Sequence, residues 1–162
     1  MDDRQLEGLA RQLGERLLAA GVLAATAESC TGGWIAKCLT DVAGSSAWFD
    51  RGFVTYSNAA KQEMLGVREE TLAGQGAVSE STVREMVAGC LARSRAGVAV
   101  AVSGIAGPSG ATPGKPVGTV WLAWGVRGGD VRTERRLYAG DRDAVRRQTV
   151  ARAIAGLGEI LG

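Results

Sequence analysis

Residues 98–102 (VAVAV) form an unbroken run of small and β-branched apolar side chains, and no other segment constrains the fold as strongly. A strand without polar alternation is covered on both faces, as central strands of α/β sheets are. Residues 104–117 follow this run and contain four glycines and all three prolines of the chain. This segment is longer than most connections, which favours a functional loop at the end of a central strand.

The remainder of the chain alternates between helical and strand patterns. Helices are predicted from apolar spacings of three and four, and strands from short apolar runs bounded by turn residues. The predicted helices cover residues 4–20, a short segment opening at 31–33, 58–65, a minor turn over 68–73, 80–93 and 141–161, and the predicted strands cover 22–27, 48–56, 98–102, 119–126 and 131–138. No repeat or composition break divides the chain. We expect one domain, residues 1–162, folded as a three-layer α/β/α sandwich around one mixed β-sheet.

The chain contains no histidine, which excludes a Ser-His-Asp triad, a Cys-His dyad, a His-ligated zinc ion and a histidine general base. Residues 110–115 resemble a phosphate-binding P-loop. They have only three residues between the glycines, however, and Pro116 stands where a magnesium-binding hydroxyl is needed. Acidic residues show no metal-binding spacing either. We expect no metal and no cofactor.

The charge and the cysteine content limit which partners and which cellular compartment are expected. Nineteen basic and 17 acidic residues give a net charge of +2, too balanced to favour nucleic acid or an anionic membrane as partner. Three cysteines without a C-x-x-C pattern favour a reducing cytoplasm over a disulfide framework. No apolar run is long enough for export or a membrane span. We expect a cytoplasmic homodimer or larger homo-oligomer that acts on a small molecule.

Polar residues follow three predicted strands, at the edge where open α/β sheets bind ligands. These segments are residues 27–33, 55–61 and 103–108. Taken singly, each has an ordinary structural explanation. A serine before a helix is usually a cap, a lysine in a helix is usually solvated, and a glycine-rich segment is usually a turn.

Because the chain has no histidine, Ser29 and Lys61 are the pair to consider as nucleophile and base. A serine hydroxyl needs a base, and without histidine a lysine can serve if its pKa falls from ~10.4 toward ~7–8. Free N–H groups near Thr31, Gly32 and Gly33 could hold an oxyanion. The residues alone thus predict an α/β domain with a candidate Ser-Lys site. Cys30 is a rival nucleophile, although we expect it to face the core.

Seven segments, in order and over nearly the whole chain, resemble the CinA C-terminal domain family. They are residues 27–33 (AESCTGG), 44–49 (GSSAWF), 52–58 (GFVTYSN), 76–79 (GAVS), 103–108 (SGIAGP), 115–120 (KPVGTV) and 140–142 (GDR). The molybdopterin-binding-like domain of two-domain CinA proteins has no counterpart here, so its hydrolase activity is not expected.

The resemblance implies a CinA C-terminal-like fold and hydrolysis of the carboxamide of nicotinamide mononucleotide to nicotinate mononucleotide and ammonia, a step in pyridine nucleotide recycling. Carried over by position, it implies that Ser29 is the nucleophile, that Lys61 is its base, and that Tyr56 relays or orients the proton. Ser46, within one of the matching segments, is included among the substrate-binding candidates.

Further substrate-binding candidates come from position in the predicted fold. Ser103 and Gly104 end the central strand and could lie near the amide, and Arg142 begins a helix, where it could bind the 5′-phosphate or simply be solvated. Trp48 and Phe49 could stack on the pyridinium, or belong to the core or a subunit interface.

Two other functions stay open. One is a nucleotide-binding or sensing module of the same fold without turnover. The other is a structural role in competence or DNA damage, which has little support because no stripe of basic and aromatic residues is visible.

Overall fold

The computed structural model describes all of residues 1–162 as an alternation of helices and strands. The helices are α1 (Asp3–Ala20), α2 (Trp34–Thr40), α3 (Asn58–Leu65), α4 (Glu69–Gln75), α5 (Glu80–Ala92) and α6 (Arg142–Ile160), with a 3₁₀ turn at Ser45–Ala47. The strands are β1 (Ala24–Glu28), β2 (Phe49–Val54), β3 (Val98–Gly104), β4 (Thr119–Val126) and β5 (Val131–Leu137). None of the helices combines the length and the apolar character that crossing a membrane requires.

The five strands form one mixed sheet in the order β2-β1-β3-β4-β5. Strand β1 runs parallel to β2 and β3, whereas β4 is antiparallel to β3 and β5. Glu28, the last residue of β1, pairs with Val54 of β2 and Val102 of β3. Because the three parallel strands end at the same edge, the residues that follow them meet there, and the loop between β3 and β4 begins and ends at that edge.

The central strand β3 presents valines to one face of the sheet and alanines to the other. Val98, Val100 and Val102 pack in the core shared with α1, α2 and α6, and Ala99 and Ala101 pack in the core shared with α3, α4 and α5. All five side chains are buried, so the strand is covered on both faces. The predicted α/β/α sandwich with a mixed sheet is confirmed.

Several helix ends follow from the capping residues in the sequence. Ser57, Ser79 and Asp141 each accept a backbone N–H three residues ahead, and Gly21 and Gly66 end α1 and α3 with left-handed backbone. The predicted bounds of β1 and β2 were wrong by one to two residues at each end, since an apolar run does not show where pairing begins. The predicted minor turn at 68–73 is a full helix, α4.

Candidate active site

Ser29 lies in a tight turn between the end of β1 and the start of α2. Its N–H donates to the Val102 carbonyl at 3.1 Å, and its own carbonyl accepts the N–H of Gly32, also at 3.1 Å. Gly32 and Gly33 have φ values of +60° and +100°, a conformation that favours glycine. We call residues 29–32 the elbow. Because β3 holds one end of the elbow and the glycine turn the other, the backbone of Ser29 is held in place.

Lys61 reaches the elbow from α3 and is 1% exposed. Its Nζ lies 2.9 Å from Ser29 Oγ, 2.9 Å from the Thr55 carbonyl oxygen and 3.1 Å from the Tyr56 carbonyl oxygen. All three partners are uncharged. Burial lowers the pKa of Lys61 to about 8 from an ordinary lysine value of 10.5, so a substantial fraction of the amine is neutral near pH 8.

The two carbonyls orient the Lys61 amine toward the serine. A neutral amine has two N–H bonds and one lone pair. When Thr55 and Tyr56 accept the two N–H bonds, the lone pair points to the third partner, Ser29 Oγ. In that state the Ser29 hydroxyl donates to Lys61, which is the geometry that removal of its proton needs.

Glu28 is a buried carboxylate beside the elbow that the sequence reasoning did not identify. Oε1 accepts from Thr31 Oγ1 at 2.6 Å and from the Ile35 N–H at 2.9 Å, and Oε2 accepts from the Ala36 N–H at 3.0 Å. Burial raises the pKa of the Glu28 carboxyl, and these hydrogen bonds oppose the rise. The carboxylate ties the first turn of α2 to the end of β1. An acid ending a strand of small uncharged residues was the available signal.

A cavity of about 330 Å³ opens in front of Ser29 and Lys61. Ser103 and Gly104 line it at the end of β3, next to the elbow. The loop after β3 and the connection between α4 and α5 form its walls, and the Lys115 ammonium of that loop donates to the Gln75 carbonyl at 2.7 Å. No group of three or more His, Cys, Asp or Glu side chains is arranged to bind a metal ion.

Arg142 lies at the cavity mouth, at the start of α6. It donates to the Gly107 carbonyl at 2.8 Å and to the Tyr56 hydroxyl at 3.2 Å. The Tyr56 side chain is therefore engaged at the mouth, and its hydroxyl makes no hydrogen bond to Ser29 or Lys61. The structure does not place the Tyr56 hydroxyl in the predicted hydrogen-bonded proton relay with Ser29 and Lys61. The carbonyl of Tyr56 contacts Lys61 instead.

One of the three predicted oxyanion donors, the Gly32 N–H, is used by the turn itself. It donates to the Ser29 carbonyl, whereas the role of the Gly33 N–H stays a prediction. The N–H groups of Cys30 and Thr31, by contrast, have no acceptor within the chain. Glycine counts could not distinguish these cases, because they do not show which N–H groups the turn itself consumes.

Cys30 is buried, but it lines the cavity and belongs to neither of the two apolar cores. Burial raises the pKa of its thiol to about 12. The group is therefore a thiol near neutrality, and it does not compete with Ser29 as a nucleophile.

Ser46 lies at the opposite edge of the sheet and does not line the cavity, so the structure of the single chain does not bring it together with Ser29 and Lys61. It sits in the turn before Phe49, which pairs with Ala24 at the start of β1, whereas Ser29 follows the end of β1. The five residues of β1 separate these edges by roughly 16 Å. A matching sequence segment does not indicate at which end of its strand a residue lies.

Trp48 belongs to the core, one of the two interpretations left open. It is 4% exposed and packs against α1, where a Cβ on Gly14 would lie 2.5 Å from its ring. Phe49 packs half-buried against the same core.

Comparison with known proteins gives consistent matches over nearly the full length of the chain. The sequence model of the CinA C-terminal domain matches residues 6–161. The nicotinamide-nucleotide amidohydrolase PncC of Escherichia coli K12 is 59% identical over 157 residues, covering 97% of this chain and 95% of the relative. The protein of the same name from Pseudomonas putida is 58% identical over 149 residues, or 92% of each chain. The crystal structure of the competence/damage inducible protein CihA from Agrobacterium tumefaciens has a TM-score of 0.94 at 49% identity, over 99% of this chain and 96% of that one.

Proposed function

This chain belongs to the CinA C-terminal domain family, and we propose that it hydrolyses the carboxamide of nicotinamide mononucleotide to nicotinate mononucleotide and ammonia. Relatives named nicotinamide-nucleotide amidohydrolase support the class of reaction. The observation that carries the proposal is the buried Lys61 amine, which two carbonyls orient toward Ser29 Oγ at 2.9 Å. No histidine is present to serve as an alternative base.

The first half of the proposed reaction forms an acyl-enzyme. Neutral Lys61 takes the hydroxyl proton of Ser29 as the oxygen attacks the carboxamide carbon. The N–H groups of Cys30 and Thr31, which lack acceptors within the chain, would stabilise the negative charge on the carboxamide oxygen. The Lys61 ammonium then protonates the nitrogen of the tetrahedral intermediate, the carbon–nitrogen bond breaks, and ammonia leaves.

The second half regenerates the enzyme. A water molecule gives a proton to neutral Lys61 and its oxygen attacks the acyl carbon. As this intermediate collapses, the proton returns to Ser29 Oγ and the bond between Oγ and the acyl carbon breaks. The net change is one amide and one water converted to one carboxylic acid, which ionises at neutral pH, and one ammonia. No cofactor is required by this balance.

The cavity supports a nucleotide substrate with its carboxamide at the elbow and its phosphate at the mouth. Its volume of about 330 Å³ falls in the usual range for small-molecule sites. Ser103 lies beside Ser29 at the closed end, where it could contact the carboxamide. Arg142 is the charged side chain at the mouth, and we propose that it binds the 5′-phosphate. All these residues come from one sheet edge, so we propose that one domain carries the activity.

The proposal is tested by measuring ammonia release from nicotinamide mononucleotide. Ser29→Ala is expected to abolish release while calorimetry still detects binding of the nucleotide. Lys61→Arg is expected to abolish release as well, because a guanidinium does not deprotonate in proteins. Lys37→Arg is the matched control, since Lys37 is exposed and paired with Asp41 on α2, and it is expected to keep full activity.

Wild-type turnover in Ser29→Ala would refute the assignment of the nucleophile. Tight nucleotide binding by the wild-type protein with no ammonia release would instead identify a binding module of the same fold. The homo-oligomeric state and the cytoplasmic location stay predictions, and sedimentation of the purified protein tests the first of them.

A further inference from the structure

We propose that Arg146 is a positioning residue that holds the elbow so that its free N–H groups face the reacting carboxamide. Arg146 lies on α6 and is distant in sequence from the elbow. The inference rests on the proposed function in one respect, which is that Ser29 is the nucleophile. Arg146 does not line the cavity, so it acts through the main chain and not by touching the substrate.

The guanidinium of Arg146 donates to two consecutive carbonyls of the elbow. Nε lies 3.0 Å from the Cys30 carbonyl oxygen, and Nη2 lies 3.2 Å from the Thr31 carbonyl oxygen. The rigid fork of an arginine can satisfy two acceptors at once, and a charged donor makes a stronger bond than a neutral one. These two residues directly follow the nucleophile in the chain.

Fixing these carbonyls also fixes the directions of the neighbouring N–H groups. In a trans peptide the carbonyl and the N–H of the next residue point in opposite directions. The Cys30 carbonyl points to Arg146, so the Thr31 N–H points away from it, and this N–H has no acceptor within the chain. The bond from Arg146 to the Thr31 carbonyl also holds the peptide whose Gly32 N–H closes the turn onto Ser29.

The Arg146 side chain is itself held in place. Its guanidinium carbon lies 5.6 Å from the centre of the Trp34 ring, within cation–π range. On the elbow side, a Cβ on Gly32 would lie 3.3 Å from Nη2, so the guanidinium fits closely against the turn. An arginine confined by a ring, a glycine and two carbonyls has little freedom to release the elbow.

The neighbouring Arg147 provides a matched control on the same helix. Its guanidinium carbon lies 4.8 Å from the same Trp34 ring, but it pairs with Asp3 and Asp143 and makes no contact with the elbow. Removing Arg147 thus removes an equal charge and a similar contact with Trp34. Only Arg146→Ala also frees the carbonyls of Cys30 and Thr31.

The expected effect is on kcat and not on KM. Misplacing a donor to the oxyanion by about 1 Å can reduce the rate about 100-fold, and deleting such a donor costs about 100- to 1,000-fold. We therefore expect Arg146→Ala to lower kcat by about 10- to 100-fold with KM within about threefold of the wild type. Arg147→Ala is expected to stay within about twofold of the wild type. Arg146→Lys keeps the charge but loses the planar fork that matches both carbonyls, and it is expected to fall between Arg146→Ala and the wild type.

A second measurement does not depend on the natural substrate. A fluorophosphonate probe reacts with an activated serine: Ser29 Oγ would bond to phosphorus, fluoride would leave, and Lys61 would take the proton. The phosphoryl oxygen needs the same N–H donors as a carboxamide oxygen. The labelling rate of Arg146→Ala is therefore expected to fall by about as much as its kcat, with that of Arg147→Ala unchanged.

The two measurements separate failure of this inference from failure of the proposed function. If the wild type releases ammonia and Arg146→Ala matches Arg147→Ala in kcat and in labelling, Arg146 has no positioning role. If the wild type labels but releases no ammonia, while Arg146→Ala labels slowly, the amidase proposal fails and the positioning role stands. An increase in KM alone would also overturn the inference. Should Arg146→Ala not fold at the assay temperature, the comparison is made with Arg146→Lys.

Discussion

Replacing Lys61 with methionine is expected to change how the free energy of unfolding depends on pH. The Lys61 ammonium is buried without an acidic partner, and burial lowers its pKa to about 8, whereas in the unfolded chain it returns to about 10.5. The folded state therefore binds this proton less tightly than the unfolded state does. Below pH 8 the buried Lys61 ammonium destabilises the folded state to its full extent. This destabilisation declines as the pH rises from 8 toward 10.5.

The size of the effect follows from the two pKa values. At 1.36 kcal/mol per pKa unit, the difference between 10.5 and about 8 corresponds to about 3 kcal/mol of destabilisation at pH 7. At pH 9.5 about 1.4 kcal/mol of this is left, so the wild type should gain about 2 kcal/mol relative to Lys61→Met between pH 7 and pH 9.5. The variant also leaves the Thr55 and Tyr56 carbonyls unpaired, at a cost of about 1–3 kcal/mol each, which is nearly independent of pH. The change with pH in the stability difference between the wild type and Lys61→Met is therefore more informative than that difference at one pH.

Urea unfolding at pH 7 and pH 9.5 and equal ionic strength measures this change. Lys37→Met is the control, because Lys37 is exposed and its pKa is raised by Asp41, so it keeps its charge over the same range. The stability difference between the wild type and this control should stay nearly constant. If the difference between the wild type and Lys61→Met also stays constant within about 0.5 kcal/mol, burial does not penalise the ammonium, and the argument for a poised base fails.

Three further predictions concern activity and packing. The kcat/KM of the wild type for nicotinamide mononucleotide should rise about tenfold per pH unit below pH 8 and level off above it, as the Lys61 amine loses its proton; a rise that continues past pH 10 would contradict this. Arg142→Gln should raise KM for the mononucleotide about 10- to 100-fold through loss of a charged hydrogen bond, and leave KM for the riboside, which has no phosphate, nearly unchanged; equal increases for both would exclude a phosphate contact. Gly14→Ala should lower the free energy of unfolding by about 1–3 kcal/mol in urea titrations because its Cβ would overlap the Trp48 ring, whereas Gly8→Ala on the same helix has open space and should be neutral or stabilising.

Local signals in the sequence predicted most of the fold and part of the site. The alternating valines and alanines of β3 and the serine caps of α3 and α5 are short-range features, so their consequences could be worked out without coordinates. The proximity of Ser29 and Lys61 followed from the rule that parallel strands end at one edge, together with the family resemblance.

The remaining features of the site depend on contacts between residues far apart in the chain. Arg146 reaches the elbow from α6, and the charge pattern of α6 gives no indication of which arginine turns inward. The role of Glu28 could be predicted only by knowing that the first turn of α2 presents its N–H groups to a strand residue. The distance of Ser46 from the cavity could not be predicted, because similarity to a family identifies a segment without locating it in space.

The main-chain carbonyls of Thr55 and Tyr56 have a consequence for how this site can change through mutation. A carbonyl is present in every residue type, so no single substitution at either position can delete the acceptors that orient the Lys61 amine. The orientation of the Lys61 amine therefore does not depend on the side chain at either position, although Thr55 is fully buried and Tyr56 lines the cavity and accepts from Arg142. Loss of this orientation requires a change in the path of the main chain, because a change in side-chain chemistry leaves both acceptors in place.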